Sequence, residues 1–291
     1  AEALRLDRAG LCRALGVSGS MASGIIEYLA DGTSTKRLHP GWAAQSGLRA
    51  AALGQAGFTG PVSVFEGTHG FFHALSTPRA TDFAPLTRDL GTRWEAARLA
   101  FKPFACGTMT QPYVDCASDL RRRGIAPEQV RAITCDVGEG TVHRLWEPPA
   151  GKQTPPTPYA AKFSGPWCVA AGWIWGDAGP AQFTEEAVRA PRALALAAKV
   201  GFRIDPDNEY PANYTGHIRA ELLDGTVVES RAPWLRGGAR APLSRDELLA
   251  KARANLAFAG RDPARADALA AWADRLMAGQ GAADVADLRL C

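Results

Sequence analysis

No run of apolar residues approaches the ~20 needed to cross a bilayer, so nothing in this 291-residue chain reads as a membrane-spanning helix. Charge of one sign is missing too. With 33 basic and 30 acidic residues the net charge is +3, too balanced to point to nucleic acid or an anionic membrane as a partner. The densest basic run, Arg121–Arg123, sits just before Gly124 and reads as an ordinary helix stop. There is no CxxC pair and no Cys/His cluster. The six cysteines (Cys12, Cys106, Cys116, Cys135, Cys168 and Cys291) are scattered, which excludes the tight spacing of zinc and iron–sulfur sites, and no metal is expected. Nor do they resemble a small secreted disulfide framework, so reduced thiols and a cytoplasmic location are expected. The residues show no signal-peptide pattern.

What is present is ordinary globular material. Hydrophobic residues make up 46% and charged residues 22%, enough for a sizeable core, and the length predicts two units. The most informative stretch is Thr35–Gly47, TKRLHPGWAAQSG. Proline is favoured at the first helical position, which places His39 near the N-cap and Pro40 at the helix start. Ala43, Ala44, Gly47, Ala51 and Ala52 then line one face, open to close approach by a neighbouring helix. Free N–H groups at such a start, together with Lys36, suit a carboxylate or phosphate; a buried helix start with a solvated lysine is the alternative.

The pattern recurs. In Phe101–Asp115, FKPFACGTMTQPYVD, Lys102 precedes a small-residue loop and Pro112 opens a helical pattern that ends at Gly124. Gly107, Thr108 and Thr110 add accessible backbone and two hydroxyls beside that start. A substrate with two or more carboxylates needs paired cationic ends, because each charge must be met on desolvation.

Elsewhere the reading is coarser. Leu4–Leu15 and Met21–Leu29 are predicted helices split by Gly16–Gly19, with Ser18 or Ser20 capping the second. Val62–Phe65 begins a short helix or strand, and Glu66–Phe72 is glycine-punctuated and aromatic, able to line a pocket but more commonly a packed turn. His69 and His73 have a metal-compatible spacing, but with no carboxylate at the right offset they are not read as ligands. Val130–Val137 is a predicted strand, Glu147–Pro158 a loop, Tyr159–Trp175 an apolar helix, and Thr184–Val200 a helix interrupted at Pro191. His217–Leu223 and Thr226–Ser230 flank an Asp-Gly turn and form a predicted hairpin. Ser244 and Glu247 make a capping box for a helix to about Phe258, and Asp262-Pro263 starts the last helix, which stops at Gly279. The fold class is α+β: an all-helical domain (1–101 and 241–291) with an inserted α+β lid (102–240).

In these segments the chain resembles the MmgE/PrpD family, which includes 2-methylcitrate dehydratase, cis-aconitate decarboxylase and iminodisuccinate epimerase. The matching stretches are TKRLHPGWAAQSG, AGFTGPVSVFEGTHGFF, FKPFACGTMTQPYVDCA, AAKFSGPWCVA, DGTVVES and APLSRDELLAKARAN, colinear over nearly the whole chain. The resemblance implies a cleft between helical domain and lid that binds small di- or tricarboxylates, homodimers, and neither metal nor organic cofactor. It assigns Lys36 and Lys102 to that cleft and matches His39 to the histidine of its K-x-x-H segment. There are departures. Gly107 stands where some members carry histidine, Gln111 precedes Pro112 where many have His-Pro, and Trp167 replaces the tyrosine of the decarboxylase. These argue against cis-aconitate decarboxylase. Family chains also begin well before Ala1, whereas this one opens at once on a bundle-like helical pattern; the expectation is a segment of a longer protein that lacks the N-terminal helical part.

The implied chemistry is proton removal next to a carboxylate, with dehydration of a 2-methylcitrate-like hydroxy acid the leading reading. The catalytic candidates are His39, as acid/base, and Lys102. Lys36, Gly107, Thr108, Gln111 and Trp167 are the substrate-binding candidates. A structural His39 stays open, as do a dicarboxylate epimerase and a non-catalytic binding domain.

Overall fold

In a computed structural model, residues 4–76 and 82–279 are described. Two compact units emerge, Ala1–Glu95 and Ala96–Cys291. The first is helical and the second mixes helices with one small sheet, so the chain is α+β.

In the first unit, helix α1 (Arg8–Met21) starts at Asp7, whose carboxylate accepts the Gly10 N–H at 2.7 Å. It runs straight through Gly16–Gly19, where sequence reading placed a break. The glycines are contact points instead. A Cβ on Gly16 would lie 2.7 Å from the Gly60 carbonyl carbon, and one on Gly54 would lie 2.9 Å from the Ala14 nitrogen. Glycine here admits a neighbouring backbone, which outweighs its modest helix penalty of about 1 kcal/mol. Helix α2 (Leu38–Gln55) packs on α1 through Ala50, Ala51 and Gly54. Ala43, Ala44, Gly47 and Ala52, predicted to line the contact face, are exposed. Residues 62–66 form a turn rather than a helix or strand.

The second unit holds the main core. Its sheet runs β2 (Val200–Ile204), β1 (Val130–Val137), β3 (Gly216–Leu222), β4 (Val227–Ala232). β1 pairs with β2 in parallel and with β3 antiparallel, and the β3–β4 hairpin turns at Asp224 and Gly225 as its Asp-Gly signal predicts. The sequence pattern predicts a helix up to Val200, where strand β2 begins. Only α5 (Pro191–Ala197) is α-helical there, and Val200 onward is recruited by the β1 edge. Helix α3 (Gln111–Arg122) packs against α4 (Gly165–Trp175), whose residues 165–174 are all buried. The predicted Tyr159–Trp175 helix is interrupted at Ser164, which caps α4 by accepting the Trp167 N–H at 2.9 Å. Residues 147–158, predicted as loop, include a short helix at Pro149–Gln153.

Three contacts fix α3, which carries the second lysine's loop. The Tyr113 hydroxyl donates to the Asp136 carbonyl of β1 at 2.8 Å. Gly216 lets β3 approach Pro112, where a Cβ would meet backbone at 2.6 Å. Arg121 donates to the Trp173 and Ile174 carbonyls at the end of α4, at 3.3 and 2.7 Å. The basic run thus serves as a helix dock. Helices α6 (Arg245–Phe258) and α7 (Arg265–Met277) are the last among the described residues, and α6 starts on the predicted Ser244/Glu247 capping box. No helix among the described residues is long and apolar enough to cross a membrane.

Candidate functional site

The candidates fall in two places, one in each unit. In the first unit, a 3₁₀ turn over Ser34–Arg37 carries Lys36 and leads directly into α2. Leu38 rather than Pro40 opens the helix, and the Leu38 N–H is already taken by carbonyls of that turn. The predicted anion-receptive N–H row is therefore partly spent. The structure instead gathers Lys36 and His39 on one aromatic ring. The Lys36 ammonium lies 5.9 Å from the Tyr28 ring centroid, and His39 meets that ring edge-on at 5.7 Å. Gly24 lies against the His39 ring, where a Cβ would sit in ordinary contact at 3.6 Å; its φ of +125° is what favours glycine there. Tyr28 was missed in the sequence because it sat inside a predicted helix with no motif around it. Its ring contacts with Lys36 are worth about 0.5–1 kcal/mol at exposed sites.

In the second unit the site is a braced turn, residues 102–111. Phe101 N–H donates to the Gly237 carbonyl at 2.9 Å. Gly237 has φ +89°, and any Cβ there would strike the Phe101 carbonyl oxygen at 1.9 Å. Glycine is thus required to hold the residue before Lys102. Lys162 straps the turn from both ends. Its ammonium donates to the Ala105 carbonyl at 2.9 Å, and its own carbonyl accepts the Gly107 N–H at 2.8 Å. The Thr110 hydroxyl closes back on the Gly107 carbonyl at 2.8 Å. Within this frame Lys102 is exposed and donates to the Cys106 carbonyl at 3.4 Å, near the limit of a hydrogen bond. It forms no ion pair among the described residues.

The other candidates are placed differently. Thr108 is half-buried, whereas Gly107 lies inside, with its N–H committed to Lys162. Gln111 is fully buried; its Nε2 donates to the Cys106 carbonyl at 3.4 Å and its Oε1 has no protein partner. Trp167 is also fully buried, packed at 6.1 Å against Trp175 in the core. It is a core side chain of α4 in this unit. Pro112 lies inside α3 as expected, with Gln111 as the first helical residue.

The lysines also act on a thiol. Burial pushes the Cys106 thiol up, but contact with the Cys168 thiol, the Thr110 hydroxyl and the charges of Lys102 and Lys162 together bring it below its ordinary value. Cys168 goes the other way, raised by burial and by Cys106. Cys12, Cys106, Cys116, Cys135 and Cys168 are all free thiols.

The sequence profile of the MmgE/PrpD N-terminal domain matches residues 1–84, and that of the MmgE/PrpD C-terminal domain matches residues 104–275. The chain belongs to the MmgE/PrpD family. Lys36 and His39 lie in the first matched range, and Gly107, Thr108, Gln111 and Trp167 in the second. Lys102 falls in the short stretch between them, as does the boundary of the two units. Among curated MmgE/PrpD relatives, cis-aconitate decarboxylase of Mus musculus is 29% identical over 84% of this chain and 50% of its own length. Cis-aconitate decarboxylase of Homo sapiens is 28% identical over 77% of this chain and 46% of its length. Cis-aconitate decarboxylase-like protein oryM of Aspergillus oryzae is 25% identical over 82% of this chain and 52% of its length. The chain therefore spans about half the length of the curated relatives it matches.

Proposed function

We propose that this chain is part of a lyase that dehydrates a 2-methylcitrate-like hydroxy polycarboxylate without a cofactor. A C–H next to a carboxylate is a very weak acid, so fixed positive charge must stabilise the enolate-like state that forms when its proton leaves. In this reading Lys36 and Lys102 hold the carboxylates, and His39 moves the proton while the hydroxyl departs as water. Thr108 offers a half-buried hydroxyl on the same turn as Lys102, and Gln111 supports the turn through its bond to the Cys106 carbonyl. The reading includes the three-part organisation 1–101, 102–240 and 241–291, a cytoplasmic location and a homodimer.

The observation that carries it is Lys102: an exposed ammonium on a turn braced from both ends, bound only at the limit of hydrogen-bond length. A charge presented this way is free to be handed to an incoming carboxylate. Family membership and lyase-type relatives support the same chemistry. The test is incubation of the chain with 2-methylcitrate while unsaturated product is followed by absorbance. Turnover by wild type that is lost in Lys36→Ala supports the reading, and no product from wild type removes it.

The relatives' name favours a second reading, decarboxylation of cis-aconitate. Against it stand Gly107, which cannot shuttle a proton, and the buried Trp167. Release of carbon dioxide from cis-aconitate, with 2-methylcitrate untouched, would select that reading.

A further inference from the structure

Behind the Lys102 turn lies a cavity of about 520 Å³, a size ordinary for small-molecule sites. Residues of the 103–105 segment, the 176–180 loop and helix α6 line it. Its two cations are differently employed. Arg236 is committed, donating to Asp115 at 2.8 Å and to Glu247 at 2.9 Å. Lys251 has no carboxylate partner among the described residues; its ammonium donates to the backbone carbonyl of Lys102, across 149 residues of sequence. Asn255, one helical turn on, brings an amide to the same cavity. Of the cavity's acids, Glu247 is engaged by Arg236, and Asp177 accepts the Ala178 N–H of its own turn at 2.8 Å.

Lys251 is half-buried, and burial together with the like charge of Lys102 holds its ammonium below the ordinary lysine range. A structural tie to one carbonyl does not explain that arrangement. A neutral donor would make the same bond without placing two ammonium groups within electrostatic reach of each other. An anion in the cavity would remove the penalty.

We propose that Lys251 and Asn255 of helix α6 form a second carboxylate subsite, which takes one end of a small di- or tricarboxylate and is coupled to Lys102 through the Lys102 carbonyl. This rests on the polycarboxylate reading above and adds to it a residue from the far end of the chain. Sequence pairing of Lys36 with Lys102 left Lys251 aside because it lies mid-helix, with no proline or loop to mark it.

The chain has six lysines, so lysine side-chain ¹⁵N and ¹³C labelling gives a small set of signals, each assignable by its own Lys→Arg variant. Citrate is the probe, titrated into the whole chain. The expected result is saturable movement of the Lys251 and Lys102 signals, with citrate binding at least tenfold weaker in Lys251→Met and restored to within a few-fold in Lys251→Arg. Circular dichroism on each variant checks that it folds. A Lys251 signal unmoved at saturating citrate, equal affinity in a folded Lys251→Met, or no citrate binding by wild type overturns the proposal. The Lys36 signal separates the two readings. If Lys36 and Lys102 move while Lys251 does not, the subsite falls and the proposed cleft stands; if Lys251 moves and Lys36 does not, the reverse holds.

Discussion

At the scale of single residues, two kinds of position matter most: a cation held loosely and a glycine pressed tightly. In the proposed binding role, Lys102 would give up only one marginal contact to meet a carboxylate. Hydrogen bonds to charged groups contribute about 1.5–3 kcal/mol, so Lys102→Ala should weaken carboxylate binding roughly tenfold to a hundredfold. Calorimetric titration with citrate would measure this, and thermal melts of the apo protein should barely move because the 3.4 Å contact is weak. The glycines behave oppositely. Gly60 faces Gly16 so closely that a Cβ would lie 2.5 Å from the Gly16 carbonyl carbon. Neither backbone can yield without unseating α1, so Gly60→Ala should destabilise the first unit by about 1–3 kcal/mol, the usual cost of overpacking. Urea denaturation of the whole chain, followed by circular dichroism, would detect it.

At the scale of elements, helix α6 is informative because its start is set by two residues. Ser244 accepts the Glu247 N–H at 3.2 Å, and the Glu247 carboxylate accepts the Ser244 N–H at 2.8 Å. Ser244→Ala should cost about 1 kcal/mol, typical of a lost N-cap. The pH dependence follows from Glu247, whose carboxyl is held below its ordinary value first by the Ser244 backbone N–H and further by Arg236. A depressed carboxyl stabilises the fold above its unfolded-state pKa and loses that contribution as pH falls through the lower folded value. The difference in urea midpoint between wild type and Glu247→Ala should therefore be present at neutral pH and close on acidification past the carboxylate range.

At the scale of the whole molecule, the two units are joined through a stretch that is exposed almost throughout residues 84–102. Arg88, Arg93 and Arg98 lie on it. Brief trypsin treatment should cut there first and leave a fragment beginning near residue 99 that resists longer, because the large core belongs to the second unit. Mass spectrometry of the time course checks this. The first unit exposes Ile25, Ile26, Leu38, Leu48, Phe58 and Val62, a set of apolar side chains that a homodimer would partly cover. Light scattering at micromolar concentration should then return twice the chain mass of 30.9 kDa.

Much of this was legible in the amino-acid order, because some signals are local. The Asp224-Gly225 hairpin, the Ser244/Glu247 cap, the strand at Val130–Val137 and the family segments around Lys36 and Lys102 depend on neighbours within a few residues, whose chemistry is visible in any linear reading. Other features depended on what lies across space. Gly16–Gly19 looks like a helix break until another backbone is laid against it, and Val200–Ile204 looks like a helix tail until β1 offers a free edge. Trp167 is a substrate-binding candidate by its position in the family segment, and packing buries it in the core of the second unit. Tyr28 gathers Lys36 and His39, and Lys251 reaches the Lys102 carbonyl, through contacts that no spacing rule encodes. The sequence by itself determined the family, the α+β class and the residue types able to meet a carboxylate, since these follow from local propensity and short motifs. Only the tertiary structure decided which of those side chains stay in reach of solvent, because burial and long-range pairing are properties of the packed chain.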